Sequence, residues 1–310
     1  MIRFQDLIKF VYQNRQIDFR KCENISLALT KFVKTQIIEE SRLKRDFLNG
    51  FVKVDYNLDY YRQFVNRINL QIRYLEEQGY KIIFAKSLKT CSRLIIGFGS
   101  DHALETSMTL HHIFGIPYIP GTALKGVCRM VAFWKLAKEK GLLKEKGLLN
   151  DKKVLSDFQN RFYGSLNKKD KETLKYQLLF GAQDFKGLLL FLDAYPFIPK
   201  DGKIFDLDIM NVHYPEYYSS EEKKLKPPAD SQNPNPIFFL SVKKGIDFCF
   251  NVLFDEYRFN NRFTEEQHKR YKEVLEDIAD LKGLVASVLN DALKEFGIGA
   301  KTRLGYGIFE

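Results

Sequence analysis

The chain has 310 residues, 45% of them hydrophobic and 28% charged. That is ordinary globular composition, enough for about two domains, and it excludes a disordered, collagen-like or mucin-like chain. Lys and Arg number 49 against 39 Asp and Glu, a formal charge of +10 that favours a polyanionic partner, either nucleic acid or an anionic membrane surface.

No apolar run nears the roughly 18 residues of a membrane span, and the first residues lack the apolar core of a signal peptide. A cytoplasmic protein with no membrane association is therefore expected. Cys22, Cys91, Cys128 and Cys249 are scattered, with no Cys-x-x-Cys pair, and read as reduced core thiols rather than a zinc site. No cofactor or metal is expected.

Residues 1–80 read as helical, with apolar residues such as Phe4, Leu7, Ile8 and Val11 at helical spacing. Tyr60, Tyr61, Arg62 and Phe64 continue the amphipathic pattern. From residue 81 the period changes. Lys81–Ala85 and Ser92–Phe98 are short β-branched and apolar runs that predict strands, and Gly97 and Gly99 mark a loop. A helix is predicted over 121–140, after Pro120, with Thr122 as N-cap.

The hexamer Lys138-Glu-Lys-Gly-Leu-Leu recurs once, at residue 144, and reads as a local duplication in a surface insertion. Residues 135–176 carry 12 Lys and Arg against 6 Asp and Glu. More than half of the net charge therefore sits in one basic insertion. Leu178–Asp184 and Gly187–Asp193 predict strand, turn, strand; 211–236 reads as loop. Ile237–Val242 and Phe248–Phe254 predict a hairpin.

A long helix is predicted over 264–295. Thr264 and Gln267 form a capping box, and Val274, Ile278, Leu281, Val285, Leu289 and Leu293 make its apolar stripe. A glycine-rich loop and a terminal strand close the sequence. The later order matches a βαββαβ pattern, an antiparallel sheet with two helices on one face.

The C-terminal loop carries the strongest functional signal. Gly297, Gly299, Gly305 and Gly307 enclose Lys301, Thr302 and Arg303. Glycines let a ligand approach main-chain N–H groups, Lys and Arg add charge-assisted bonds to phosphate, and Tyr306 offers a face to a base. A nucleotide-hydrolysing P-loop is excluded. Ala300-Lys301-Thr302 lacks the preceding Gly, and Gly121 and Gly126 are followed by Val127-Cys128.

At the predicted helix start, Lys125 and Arg129 stand at i, i+4 near free N–H groups, an anion-binding arrangement. Asp101, His102, Glu105, His111 and His112 suggest a metal or acid–base site, but their spacings match no standard metal motif. Asp184, Asp193, Asp206 and Asp208 are further carboxylate candidates. Asp206 and Asp208 would point to one face of a strand.

Ile119-Pro-Gly-Thr-Ala-Leu-Lys-Gly resembles the helix-opening motif of the RAMP superfamily of CRISPR-associated proteins, and Gly297–Gly307 resembles its C-terminal glycine-rich loop. Leu104–His112, Phe180-Gly-Ala-Gln, Phe191–Pro196, Asp208–Tyr218 and Pro228–Phe239 narrow the resemblance to the sixth, head-end subunits of Cmr (type III-B) effector complexes. The matching segments spread from about residue 93 to 310.

The resemblance implies an α+β fold: an RRM-like, ferredoxin-like core with inserted hairpins over 81–310, preceded by the helical region 1–80. It implies a non-catalytic subunit that binds CRISPR guide RNA near its 3′ end, beside the repeated backbone subunit and the other head subunit. The implied RNA-binding residues are Gly297, Gly299, Lys301, Thr302, Arg303, Gly305, Tyr306 and Gly307, with Thr122, Lys125, Arg129, His111 and His112. Two alternatives stay open. One is a metal-independent RAMP endoribonuclease using a histidine and Lys301. The other is a protein-interaction scaffold built on the aromatic N-terminal helices.

Overall fold

In the computed structural model, residues 24–31, 33, 37–38, 40–54, 56–143, 151–212, 227, 235–275 and 278–310 are described. Phe4, Leu7, Ile8, Val11, Cys22, the second hexamer copy and most of the 211–236 loop lie outside them.

Hydrophobic period decides the N-terminal elements. Helices α1 (Ile25–Lys31), α2 (Ser41–Val52) and α3 (Leu58–Glu77) each bury one stripe. In α2 it is Phe47, Leu48 and Phe51; in α3 it is Tyr61 and Phe64. Asn57 caps α3 by accepting the N–H groups of Asp59 and Tyr60.

Strand β1 (Tyr80–Lys89) follows and runs antiparallel to β6 (Asp247–Asp255) along its whole length, with one irregularity between Ile82 and Phe84. On the other side of β6 lie β2 (Leu189–Phe191) and β3 (Tyr195–Pro196), both antiparallel to it. Beyond β1 the last residues pair at its end: Lys89 and Glu310 exchange N–H to carbonyl bonds of 3.0 and 2.9 Å, and Thr90 bridges Phe309. The order across the sheet is therefore chain end, β1, β6, β2 with β3.

Phe248, Phe250, Val252 and Phe254 alternate onto one buried face of β6. Phe309 packs edge-on to Phe248 and Phe250. Helices α4 (Gly121–Glu139) and α9 (Ile278–Asp291) pack against each other, α4 against β2 and α9 against β1. Helix α3 packs on β1, and the Tyr61 hydroxyl donates to the Pro196 carbonyl. The described helices of the first 80 residues share one continuous apolar core with this sheet.

A second sheet has two strands. β4 (Phe205–Val212) and β5 (Asn235–Val242) pair antiparallel from Phe205–Val242 to Val212–Asn235, and α2 packs on both. Thr90 joins the two sheets. Fully buried, it donates its N–H to the Ile246 carbonyl and its hydroxyl to the Lys243 carbonyl, and accepts the N–H groups of Gly245 and Ile246.

Four sequence expectations are corrected. Leu178–Asp184 is not a strand: Leu178–Phe180 ends helix α6 (Lys171–Phe180). That helix is buried on nearly every side, so its apolar residues run together and the helical period disappears. Ser92–Phe98 forms no strand beyond a bridge of Leu94 to Val242. Its carbonyls serve separate segments, Arg93 accepting from Gly307, Ile95 from Ala300 and Ile96 from Thr109.

Ile237–Val242 and Phe248–Phe254 are strands but make no hairpin. They belong to different sheets, and β5 pairs with β4. After the short helix α7 (Glu256–Asn261), the long C-terminal helix is two stretches, α8 (Glu265–Leu275) and α9, followed by a π-helical turn, Ala292–Phe296. Its capping box is present: Thr264 and Gln267 exchange N–H to side-chain bonds of 3.2 Å.

In the basic segment, α5 (Lys152–Tyr163) and α6 are capped by Asp151 and Asp170. Lys140 pairs with Asp170 and Glu172 at 3.2 and 2.5 Å.

Candidate nucleic-acid interface

The glycine-rich loop leaves the π-helical turn at Gly297 and is stitched onto residues 93–95. Ala300 N–H donates to the Ile95 carbonyl at 2.8 Å, and Gly307 N–H to the Arg93 carbonyl at 2.8 Å. Two glycines are required by close approach. A Cβ at Gly299 would lie 2.2 Å from the Ile95 oxygen, and one at Gly307 would lie 1.9 Å from the Ile298 oxygen, both at positive φ. Lys301 is left-handed at φ 58° and opens a 3₁₀ turn over Thr302–Leu304.

The N–H groups of Ile298, Ala300, Leu304, Gly305, Tyr306 and Gly307 are all bonded within the protein. These bonds fix the backbone on either side of the 3₁₀ turn that carries Lys301 and Arg303. Arg303 and Leu304 are exposed at the turn. Lys301 Nζ lies 2.9 Å from Met210 Sδ and 5.2 Å from the centre of the Phe98 ring. Neither Lys301 nor Arg303 is paired with a carboxylate among the described residues.

Asp206 and Asp208 do share one face of β4, as their spacing predicts. Arg93 occupies that face, with Nε 2.7 Å from Asp206 and Nη1 3.0 Å from Asp208. The Tyr306 hydroxyl donates to Asp208 at 2.6 Å. Burial and the Asp208 carboxylate push the Tyr306 phenol up to about 12, with Arg93 opposing. This network latches the loop to the β4–β5 hairpin. Arg93 was missed in sequence because its partners lie more than 100 residues away.

The second surface is the start of α4. Ile119 pairs with Ala194, Pro120 ends the extended segment, and Gly121 N–H donates to Asp193 Oδ1 at 2.7 Å. Thr122 is exposed, and Lys125 and Arg129 are half-buried. Thr122 is not the N-cap; Pro120 occupies that position, and Asp193 supplies the capping oxygen from another segment.

A cleft of about 180 Å³ opens here, lined by Thr122, Lys125, Lys186, Gly187, Tyr80 and Asp255, among others. Burial, then Arg129, Lys186 and Arg258, hold the Lys125 ammonium below its usual range. Lys125 and Lys186 have no carboxylate partner among the described residues, and Arg129 Nη2 is buried without a hydrogen bond. The Arg129 guanidinium lies 4.7 Å from the Tyr163 ring centre.

Lys186 and Arg258 escaped the sequence reading. Arg258 enters through Gly187, whose carbonyl accepts from Nη1 at 3.3 Å. No local motif signals that contact. The cleft lies at the β2 side of the sheet and the glycine loop at the chain-end side, so the fold separates two cation sets that the sequence reading placed together.

The histidine segment is structural in part. His111 Nδ1 accepts the N–H groups of Ile113 and Phe114 at 3.3 Å. Burial and His112 lower its pKa, and Asp193 opposes. His102 Nδ1 accepts from Leu104, and Glu105 pairs with buried Lys44 at 3.1 Å. Asp184 accepts the Leu166 N–H at 2.9 Å. Among the described residues no group of three or more His, Cys, Asp or Glu is placed to hold a metal ion, and no helix is long and apolar enough to cross a membrane.

A model of the RAMP superfamily matches residues 87–310, which hold both cationic surfaces. The chain belongs to the RAMP superfamily. This RAMP chain is 34% identical over 245 residues to the CRISPR system Cmr subunit Cmr6 of Pyrococcus furiosus, covering 71% of the chain and 65% of the Pyrococcus protein. It is 22% identical over 226 residues to the Cmr6 subunit of Saccharolobus solfataricus, covering 72% of the chain and 56% of that protein. It thus spans less than two thirds of either relative. Its fold is similar to that of a chain in the type III-B Cmr-beta assembly bound to cognate target RNA, at a TM-score of 0.58 and 18% identity. That match covers 99% of this chain and 85% of the other.

Proposed function

We propose that this RAMP chain is a non-catalytic, guide RNA-binding subunit of a type III-B Cmr effector complex, acting in the cytoplasm and seated near the 3′ end of the guide. Its partners are the CRISPR RNA, the repeated backbone subunit and the other head subunit. The observation that carries the reading is the placement of Lys301, Arg303, Lys125 and Lys186. None is paired with a carboxylate among the described residues, and rigid backbone holds all four at two sides of one antiparallel sheet. Phosphate contacts of this kind position single-stranded RNA without reading its sequence.

The strand order supports an RRM-like, ferredoxin-like core. β1, α4, β2, β6, α9 and the terminal segment supply βαββαβ in sequence, with β4–β5 as an inserted hairpin. We take 81–310 as the RAMP domain and 1–80 as a helical region packed on it. Asp184, Asp193, Asp206 and Asp208 are each engaged by groups of the protein itself, and His102 and His111 each spend Nδ1 on backbone N–H groups, which favours RNA binding over cleavage.

The test is binding of labelled CRISPR guide RNA by the full chain at several salt concentrations, with and without Mg²⁺. Each phosphate neutralised on a single strand contributes about −0.7 to the slope of log K against log salt. The double variant Lys301→Ala, Arg303→Ala is expected to weaken binding across RNA sequences and flatten the slope by roughly 1–1.5. An unchanged slope refutes the loop assignment. Discrete cleavage of the RNA by wild type refutes the non-catalytic assignment.

A further inference from the structure

Beside the start of α4 lies an aromatic surface that cation contacts leave unused. Its floor is Phe64 and Phe114, with ring centroids 4.5 Å apart. The His111 ring rests on both, 5.5 and 5.0 Å away. Because His111 Nδ1 accepts two backbone N–H groups, the ring is fixed and its proton is placed on Nε2. His112 stacks on His111 with centroids 5.0 Å apart and planes 10° from parallel. Asn24 Nδ2 anchors the backbone here, donating to the carbonyls of His112 and Ile113 at 2.7 and 2.9 Å.

His112 is itself exposed. At the flank, Tyr118 stacks on Tyr195 at 5.5 Å and 24°, and lies 6.2 Å from His111. Asp193 links this ledge to the cationic cleft. It faces the Tyr195 hydroxyl and caps Gly121.

We propose that His112, seated on His111 and flanked by Tyr118, is a stacking platform for one unpaired base of single-stranded RNA whose phosphates lie along Thr122 and Lys125. The proposal rests on the RNA-binding reading above and assigns it a base contact. The His112 ring is already stacked on a His111 ring fixed by backbone bonds, so it loses little freedom when a base covers it and stacking energy converts efficiently into affinity.

Charge favours RNA over a protein partner. The ledge meets the cleft through Asp193, whose carboxylate is engaged by Gly121, and the cleft itself carries Lys125 and Lys186. An RNA strand supplies both the base and the phosphates that such a neighbourhood takes.

The test uses the full chain and CRISPR guide RNA carrying 2-aminopurine at single positions. Wild type is expected to quench fluorescence at one position. His112→Ala is expected to abolish that quench and weaken binding roughly tenfold, while His112→Tyr keeps the quench and stays within about twofold of wild type. Because His112 is exposed, both variants should melt with wild type. Unchanged binding and quench in His112→Ala overturn the platform, as does equal loss in both variants. Reversal of the quench by millimolar ATP overturns it in favour of a free-nucleotide pocket. Normal RNA binding with lost association to the other Cmr subunits overturns it in favour of a protein contact. If wild type shows no salt-sensitive RNA binding at all, the functional reading itself has failed.

Discussion

Gly305 and Gly307 form a matched pair for testing why the loop is glycine-rich. Both have positive φ, 87° and 73°. A Cβ at Gly305 meets open space, whereas one at Gly307 falls 1.9 Å from the Ile298 carbonyl oxygen. Alanine in the left-handed region costs about 1–2 kcal/mol at either site. At Gly307 the overlap adds a packing penalty of roughly 1–3 kcal/mol, since the Ile298 carbonyl sits between two backbone anchors, Ile298 N–H to Gly307 and Ala300 N–H to Ile95. At about 2 °C per kcal/mol for a chain of this size, Gly305→Ala should lower Tm by ~2–4 °C and Gly307→Ala by ~4–10 °C. Thermal unfolding followed by circular dichroism measures both. Guide RNA binding should survive Gly305→Ala and fall with Gly307→Ala. Equal Tm shifts would refute the argument that close backbone approach, rather than φ alone, fixes glycine at 307.

The Tyr306–Asp208 bond should be visible in alkaline stability. The folded phenol is held at about 12, above its ordinary value near 10, so its contribution is complete below pH ~10 and is lost as pH rises through 12. The stability gap between wild type and Tyr306→Phe should therefore shrink over that window; a constant gap in denaturant titrations refutes the bond. Asp170 gives the opposite sign. Bonds from Thr173 and Lys140 hold its carboxyl below the usual range despite burial, so its contribution is present above pH ~4 and lost on acidification. Asp170→Ala should cost about 1 kcal/mol at pH 7 in urea unfolding, with the deficit vanishing in acid.

What the sequence conveyed depended on whether the signal was local. Helix α4, the α8 capping box and the strands around Phe84, Phe239 and Phe250 were legible because period and capping act within a few residues. Leu178–Phe180 misled because a helix buried all round has no period to display. The β5–β6 pair misled because a glycine in a short connection signals a turn without saying which sheet the next strand joins. At the interface, Lys301, Arg303, Lys125 and Arg129 stood in motifs. Arg93, Lys186 and Arg258 did not, since each acquires its role through contacts with residues distant in sequence. The separation of the two cation sets follows from strand order, which no motif encodes.

Thr90 ties together three segments distant in sequence. Its N–H and hydroxyl hold the connection between β5 and β6, while its backbone bridges Phe309 beside the glycine-rich loop. If the Lys243–Ile246 connection lifts away, the buried hydroxyl loses both its partners, so its bonds and the backbone pairings of Thr90 with Gly245 and Ile246 are expected to open together. Native-state hydrogen exchange should give the amides of Thr90, Gly245 and Ile246 a single opening free energy rather than three. A load on the glycine-rich loop would then reach the β5–β6 connection through Phe309 and Thr90, two residues that stand far apart in the sequence.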